Sequence, residues 1–135
     1  MAQYRGRVSG PLLDRIDLHI DVPALTDDDL DSAAPGEAST PVRERVARAR
    51  ERQVCRQGVP NAMLRGIELE ERAGIDAHGR RFMREATSSL GLSARGRHRV
   101  LRVARTIADL AVADAVHRDH LAEAVRYRGR PLADP

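Results

Sequence analysis

Lysine and tryptophan are absent from this sequence, and its aromatic side chains are confined to Tyr4, Phe82 and Tyr127. Without lysine, no phosphate-binding loop of the type Gly-x-x-x-x-Gly-Lys-Ser/Thr exists within these 135 residues. No apolar run leads into an Asp-Glu pair that would hold magnesium. A core this poor in aromatics must be built from Leu, Val, Ile, Ala and Met, which suits packed helices better than a sheet sandwich. Cys55 is the single cysteine, so neither an internal disulfide nor a cysteine zinc site can form. A reducing, cytoplasmic setting is expected. No apolar stretch approaches the roughly 20 residues that span a bilayer, so no membrane partner is expected. The opening Met1-Ala2-Gln3-Tyr4-Arg5 lacks the apolar segment of a secretory signal. His19, His78, His98, His117 and His120 show no ligand spacing with carboxylates, so no metal site is expected. No Ser/His/Asp order or pair of carboxylates suggests hydrolytic chemistry by the chain itself.

What is abundant is arginine, and it is unevenly placed. Residues 1–41 carry three arginines against eight carboxylates, and residues 42–135 carry twenty against twelve. The second part therefore favours an anionic partner. A GC-rich coding sequence explains arginine in place of lysine equally well, so the excess alone assigns no ligand.

Residues 16–22, Ile-Asp-Leu-His-Ile-Asp-Val, alternate with period two and predict a half-buried strand ended by Pro23. No second strand is predicted to pair with it. Residues 24–41, with Asp27-Asp28-Asp29, Pro35-Gly36 and Pro41, predict an acidic, mobile linker. Helical patterning follows. Thr40 and Pro41 suit a helix start, with Val42, Val46 and Ala49 on one face and Gly58 as the stop. A short helix is expected near 67–73, with Leu64, Ile67 and Leu69 buried. Asp76 can cap a helix to about Leu90 that buries Phe82, Met83, Ala86 and Leu90. Ser93 can cap the clearest helix, about 94–112, with a buried stripe of Val100, Val103, Ala104, Ile107, Leu110 and Ala111. His117 caps a last helix, 118–128, burying Leu121, Ala124 and Val125. The expected fold is mainly α, a bundle of four to five helices preceded by a lone strand and a linker.

Two arginines stand out by context. Arg15 follows Gly10-Pro11-Leu12-Leu13-Asp14, where two leucines anchor a turn that can hold a guanidinium rigidly at a surface. A fixed planar fork is what charge spread over phosphate oxygens requires. Arg95 lies in the first turn of the strongest helix, where free N–H groups already attract anions. Arg95, Arg99 and Arg102 are spaced i, i+4, i+7 and share a face. Taken without context, that face is more simply a set of ion pairs than a DNA contact, and Arg102 or Arg105 can pair with Asp109.

The strings Ser9-Gly-Pro-Leu-Leu-Asp-Arg-Ile-Asp-Leu18 and Leu92-Ser-Ala-Arg95, the latter running on to Val100-Leu-Arg-Val-Ala-Arg-Thr-Ile-Ala-Asp-Leu110, resemble the C-terminal end of the magnesium-chelatase-like AAA+ ATPases, in particular the ComM/YifB group. The resemblance implies that residues 1–23 are the end of an AAA+ core, 24–41 a linker and 42–135 the α-helical lid. It makes Arg15 the arginine finger acting on a neighbouring subunit's ATP, with Asp14 orienting it. It makes Arg95 the sensor-2 arginine on the γ-phosphate of its own subunit's ATP. Arg97 replaces a frequent aromatic before His98. The implied parent is a homo-hexameric ring using ATP and Mg²⁺, with DNA branch migration in natural transformation as its work. The chain alone is then expected to be monomeric, without bound cofactor and inactive. Two other readings are an independent helical DNA-binding module, using Arg95, Arg99 and Arg102, and a subunit-interaction module without a nucleotide role.

Overall fold

The computed structural model describes residues 15–24, 26 and 36–128. Asp14 and the Ser9–Leu13 stretch lie outside the described residues, as does most of the acidic segment. Five α-helices and one 3₁₀ turn form among the described residues. They are α1 (Ser39–Gln57), the 3₁₀ turn Asn61–Met63, α2 (Gly66–Arg72), α3 (Ala77–Ser89), α4 (Ala94–Leu110) and α5 (Arg118–Arg126). No helix among them is long and apolar enough to cross a membrane.

The bundle is organised around α4, which packs against α1, the 3₁₀ turn, α2 and α5. Its Val100, Leu101, Ala104 and Ala108 meet Leu64, Leu69, Met83, Val116, Leu121 and Ala124 in one core. Burying a leucine such as Leu101 stabilises the fold by about 2 kcal/mol. Between α2 and α3, Ile75 bridges to Val116 ahead of α5. The Val116 amide donates to the Gly74 carbonyl at 2.9 Å and the Asp76 amide to the Val116 carbonyl at 3.3 Å. This joins the two interhelical loops.

Helix ends follow local chemistry in most places. The Asp76 carboxylate accepts from the Gly79 amide at 2.6 Å, and the Ser93 hydroxyl from the Gly96 amide at 3.1 Å. Each satisfies one donor that the first helical turn leaves free. Gly58, at φ 78°, closes α1 in the left-handed region. The start of α1 differs from expectation. Ala38, not Thr40, is the N-cap, and it makes no side-chain cap bond. Pro41 falls within the first turn, where its missing N–H has no intrahelical partner to lose.

Four apolar side chains expected inside are exposed: Val46, Ile67, Leu90 and Leu110. Ala111 is exposed too. The face of α1 that is buried carries Ala49 and Gln53, because α1 meets α4 across a polar seam. Helix α4 also stops at Leu110. Val112 turns into the left-handed region at φ 60°, and the Ala113 amide closes back on the Ala108 carbonyl at 2.8 Å.

Residues 16–22 carry no strand ladder among the described residues. The expected alternation leaves Ile16, Leu18, Ile20 and Val22 at least partly in solvent, since no neighbouring strand receives them. The segment instead lies against the end of α5. The His19 amide donates to the Tyr127 carbonyl at 2.7 Å, and the His19 Nδ1–H to the Arg128 carbonyl at 3.0 Å.

The seam between α1 and α4 is built on Asp109 and Arg105, both about 1% exposed. Arg105 donates to the carbonyls of Ala113 (2.7 Å), Asp114 (2.8 Å) and Ala73 (3.3 Å), and to Asp109 (3.0 Å). One guanidinium thus satisfies loop carbonyls at the ends of two helices. Asp109 also receives Arg56 at 2.6 and 3.0 Å and Asn61 at 2.8 Å. Burial opposes ionisation of Asp109. Hydrogen bonds from Arg56 and Asn61 and the charges of Arg105 and Arg56 outweigh it, holding the carboxyl below its ordinary range. Burial displaces Arg105 downward in turn, against the attraction of Asp109. The pairing of Arg105 with Asp109 accords with their spacing, but the face they form is interior.

Candidate functional site

The first two turns of α4 and the loop entering α2 face each other across an open cleft of about 540 Å³. Arg95, His98, Arg99 and Arg102 line it from α4, Ala62, Arg65 and Gly66 from the opposite side, and Arg15 from the N-terminal segment. The helical period puts the three α4 arginines on this one face. Ser93 fixes the turn that carries Arg95 by capping the helix, so the N-terminal N–H groups of α4 add to the positive potential there.

Each arginine is held differently. Arg102 donates its Nε to the Leu64 carbonyl at 3.0 Å, which ties α4 to the loop that bears Arg65. Arg99 is nearly buried, its side chain 12% exposed, and its Nε meets the Asp17 carboxylate at 3.2 Å. The Arg99 Nη1 is buried and has no hydrogen-bond partner. Arg15, Arg65 and Arg95 are exposed and form no ion pair among the described residues. Three guanidinium groups without carboxylates, converging with two more, repel one another until an anion enters. The chemistry that fits this cleft is a multiply charged phosphate, which planar forks bind in pairs of parallel hydrogen bonds.

Arg97, two residues after Arg95, is turned to α2. It donates to both Glu70 oxygens at 3.0 and 2.9 Å. The hydrogen bond from Arg97 holds the Glu70 carboxyl below its ordinary value. Its charge is thereby matched locally. Arg15, Arg95, Arg99 and Arg102 are brought together, while Asp14 lies outside the described residues. Sequence patterning did not single out Arg65, His98 or Asp17. Arg65 precedes Gly66 at a helix start, which is its one local signal. Asp17 reads as the polar half of an alternating strand.

The fold and the cleft define an all-helical domain with an arginine-lined face. Comparison with known proteins places it. Residues 36–128 match the family described as magnesium chelatase, subunit ChlI C-terminal, and residues 1–30 match magnesium chelatase, subunit ChlI. The chain belongs to this magnesium-chelatase-like family. It is 44% identical over 127 residues to competence protein ComM of Haemophilus influenzae, covering 93% of this chain and 25% of that protein. Its identity to protein YifB is 43% for Salmonella typhimurium and 42% for Escherichia coli, with the same coverage. The chain thus spans about a quarter of the length of these relatives.

Proposed function

We propose that the chain is the nucleotide-responsive end of an ATP-driven ring. In this reading residues 1–23 complete an AAA+ core, 24–41 connect, and 42–135 form the lid. Arg15 is the arginine finger, with Asp14 orienting it, and Arg95 is the sensor arginine. Arg99 and Arg102 extend the same cationic face. The supporting observation is that Arg15 and Arg95, remote in sequence, line one cleft. One triphosphate would therefore meet both guanidinium groups. The resemblance assigns Arg95 to its own subunit's ATP. Here the assignment differs, because if Arg15 reaches the nucleotide of a neighbouring subunit, Arg95 in the same cleft reaches that nucleotide too.

The exposed guanidinium groups of Arg15 and Arg95, which have no ion-pair partner among the described residues, fit a polyphosphate. ATP with Mg²⁺ supplies the transferable phosphoryl group. Arg15 and Arg95 would hold its terminal oxygens, stabilise charge as it develops and lose contact when phosphate departs. That differential contact is what would convert hydrolysis into movement of the lid. The surrounding homo-hexamer, DNA as substrate and branch migration as the outcome are part of this proposal and are what the family resemblance implies. A competence protein gives that likeness its direction.

The test is ATP turnover by the intact ATPase carrying Arg15→Ala, Arg95→Ala or both, with and without branched DNA, alongside its ring content. Each single change is expected to lower turnover about a hundredfold or more with the ring intact. The double change should cost little beyond either one, because the two act as a unit. Wild-type turnover in Arg95→Ala would refute the reading. Salt-sensitive DNA binding lost in Arg95→Ala without loss of turnover would establish the cleft as a nucleic-acid surface instead.

A further inference from the structure

We infer that Asp17 is a positioning residue, whose ion pair with Arg99 sets Arg15 against Arg95 across the cleft. The inference rests on the reading of the cleft as a phosphate site. A carboxylate beside five arginines weakens the field that draws an anion in, so its place there calls for a benefit other than charge. The geometry supplies one. Asp17 lies two residues after Arg15, and Arg99 one helical turn after Arg95. The 3.2 Å contact between Asp17 and Arg99 thus links the segment that carries Arg15 to the helix that carries Arg95. Arg99 is a firm anchor because its side chain is 12% exposed.

The remaining contacts of the segment fix it elsewhere. The Arg128 Nη1 donates to the Ile16 carbonyl at 3.3 Å, and His19 bonds to the carbonyls of Tyr127 and Arg128. These bonds hold residues 16–19 to the end of α5, while Asp17 ties the same segment to α4. Removal of the Asp17 charge would also strand a nearly buried guanidinium whose Nη1 already lacks a partner. Leaving such a charge buried and uncompensated is costly, so Arg99 is expected to turn toward water. Arg99 would then leave its place in the cleft wall, and Arg15 would lose its register with Arg95.

The test uses the 135-residue chain with spin labels at exposed Leu18→Cys and Ala94→Cys. Exposed Cys55 is replaced by serine so that it takes no label. Inorganic tripolyphosphate is the binding probe. Asp17→Asn is expected to broaden the distance distribution between the labels and to weaken tripolyphosphate binding about fivefold, since misplaced groups forfeit their joint hold on a ligand. Asp17→Glu, which keeps the carboxylate, should retain a narrow distribution and near-native binding. Charge alone predicts the opposite sign, tighter binding once the carboxylate is neutralised. Tighter binding in Asp17→Asn, or an unaltered distance distribution, would overturn the inference. Tripolyphosphate binding that is absent in the parent chain, or unaffected by Arg95→Ala, would instead overturn the phosphate reading. The label distances separate that failure from a failure of positioning.

Discussion

Replacing Asp109 with alanine tests the polar seam at its centre. Its side chain is fully buried and accepts four hydrogen bonds, from Arg56 twice, Asn61 and Arg105, at 2.6 to 3.0 Å. Near the C-terminus of α4, where carbonyl dipoles repel a carboxylate, only such partners keep it ionised. The alanine variant leaves Arg105 buried with an unmatched charge, and Arg56 and Asn61 with unused donors. Breaking a buried pair from one side costs about 3 to 5 kcal/mol, against a total of about 5 to 15 kcal/mol for a domain. For a bundle of this size that lowers Tm by roughly 15 to 30 °C. The internal control is Glu85→Ala, which removes a surface i,i+4 pair with Arg81 at 77% and 64% exposure. That change should cost less than about 0.5 kcal/mol. Urea unfolding followed by circular dichroism measures both. If Asp109→Ala cost no more than Glu85→Ala, the seam would not bear the stability argued here.

Gly79→Ala is expected to destabilise by about 1 to 3 kcal/mol despite alanine's better helix propensity, because its Cβ would lie 2.7 Å from Ile75 Cγ2 and 3.1 Å from the Val116 carbonyl. A raised urea midpoint would show that α3 and α5 have room to part. Val112→Gly is expected to stabilise by about 1 kcal/mol, since a β-branched residue is strained at φ 60°, and an unaltered or lower Tm would deny that strain. Ser93→Ala should cost about 1 kcal/mol by removing the cap on Gly96, with amide exchange rising first at Gly96 and Arg97. Burial, then the charges of His117 and Arg105, hold His120 below the ordinary imidazole value, against Asp119 and Glu123. The unfolded chain therefore takes up that proton first, and stability falls as pH drops below about 6.5. His120→Gln should flatten the dependence of the urea midpoint between about pH 7.5 and pH 5, and an unchanged slope would sink the assignment.

The helices were legible in the sequence because their punctuation is chemical. Asp76, Ser93 and Gly58 mark boundaries that local hydrogen bonding and backbone freedom enforce. The common face of Arg95, Arg99 and Arg102 was legible for the same reason, since a helix fixes its own angular spacing. What surrounds that face was not. The approach of Arg15, Arg65 and Asp17 depends on how separate segments pack, which periodicity does not encode. Apolarity misled at Ile67 and Leu90, which sit on turns that the core never reaches. Polarity misled at Arg105, whose burial follows from loop carbonyls at the ends of two helices rather than from its neighbours in sequence. The stop of α4 was missed because Val112 adopts a conformation that usually announces itself by glycine.

These features divide α4 into halves with different duties. The C-terminal half is locked to α1 by the Arg56–Asp109–Asn61 cluster and to both interhelical loops by Arg105. The N-terminal half presents Arg95 and Arg102, which have no carboxylate partner among the described residues, beside Arg97 and Arg99, which pair with Glu70 and Asp17. A close-packed helix with one end pinned this firmly does not bend in response to a contact at the other. On the proposed reading, a phosphate gained or lost at Arg95 would therefore shift α1, α4 and α5 together. The Asp17–Arg99 ion pair would carry Arg15 along with them, so that finger and sensor engage or release the same phosphate in one movement.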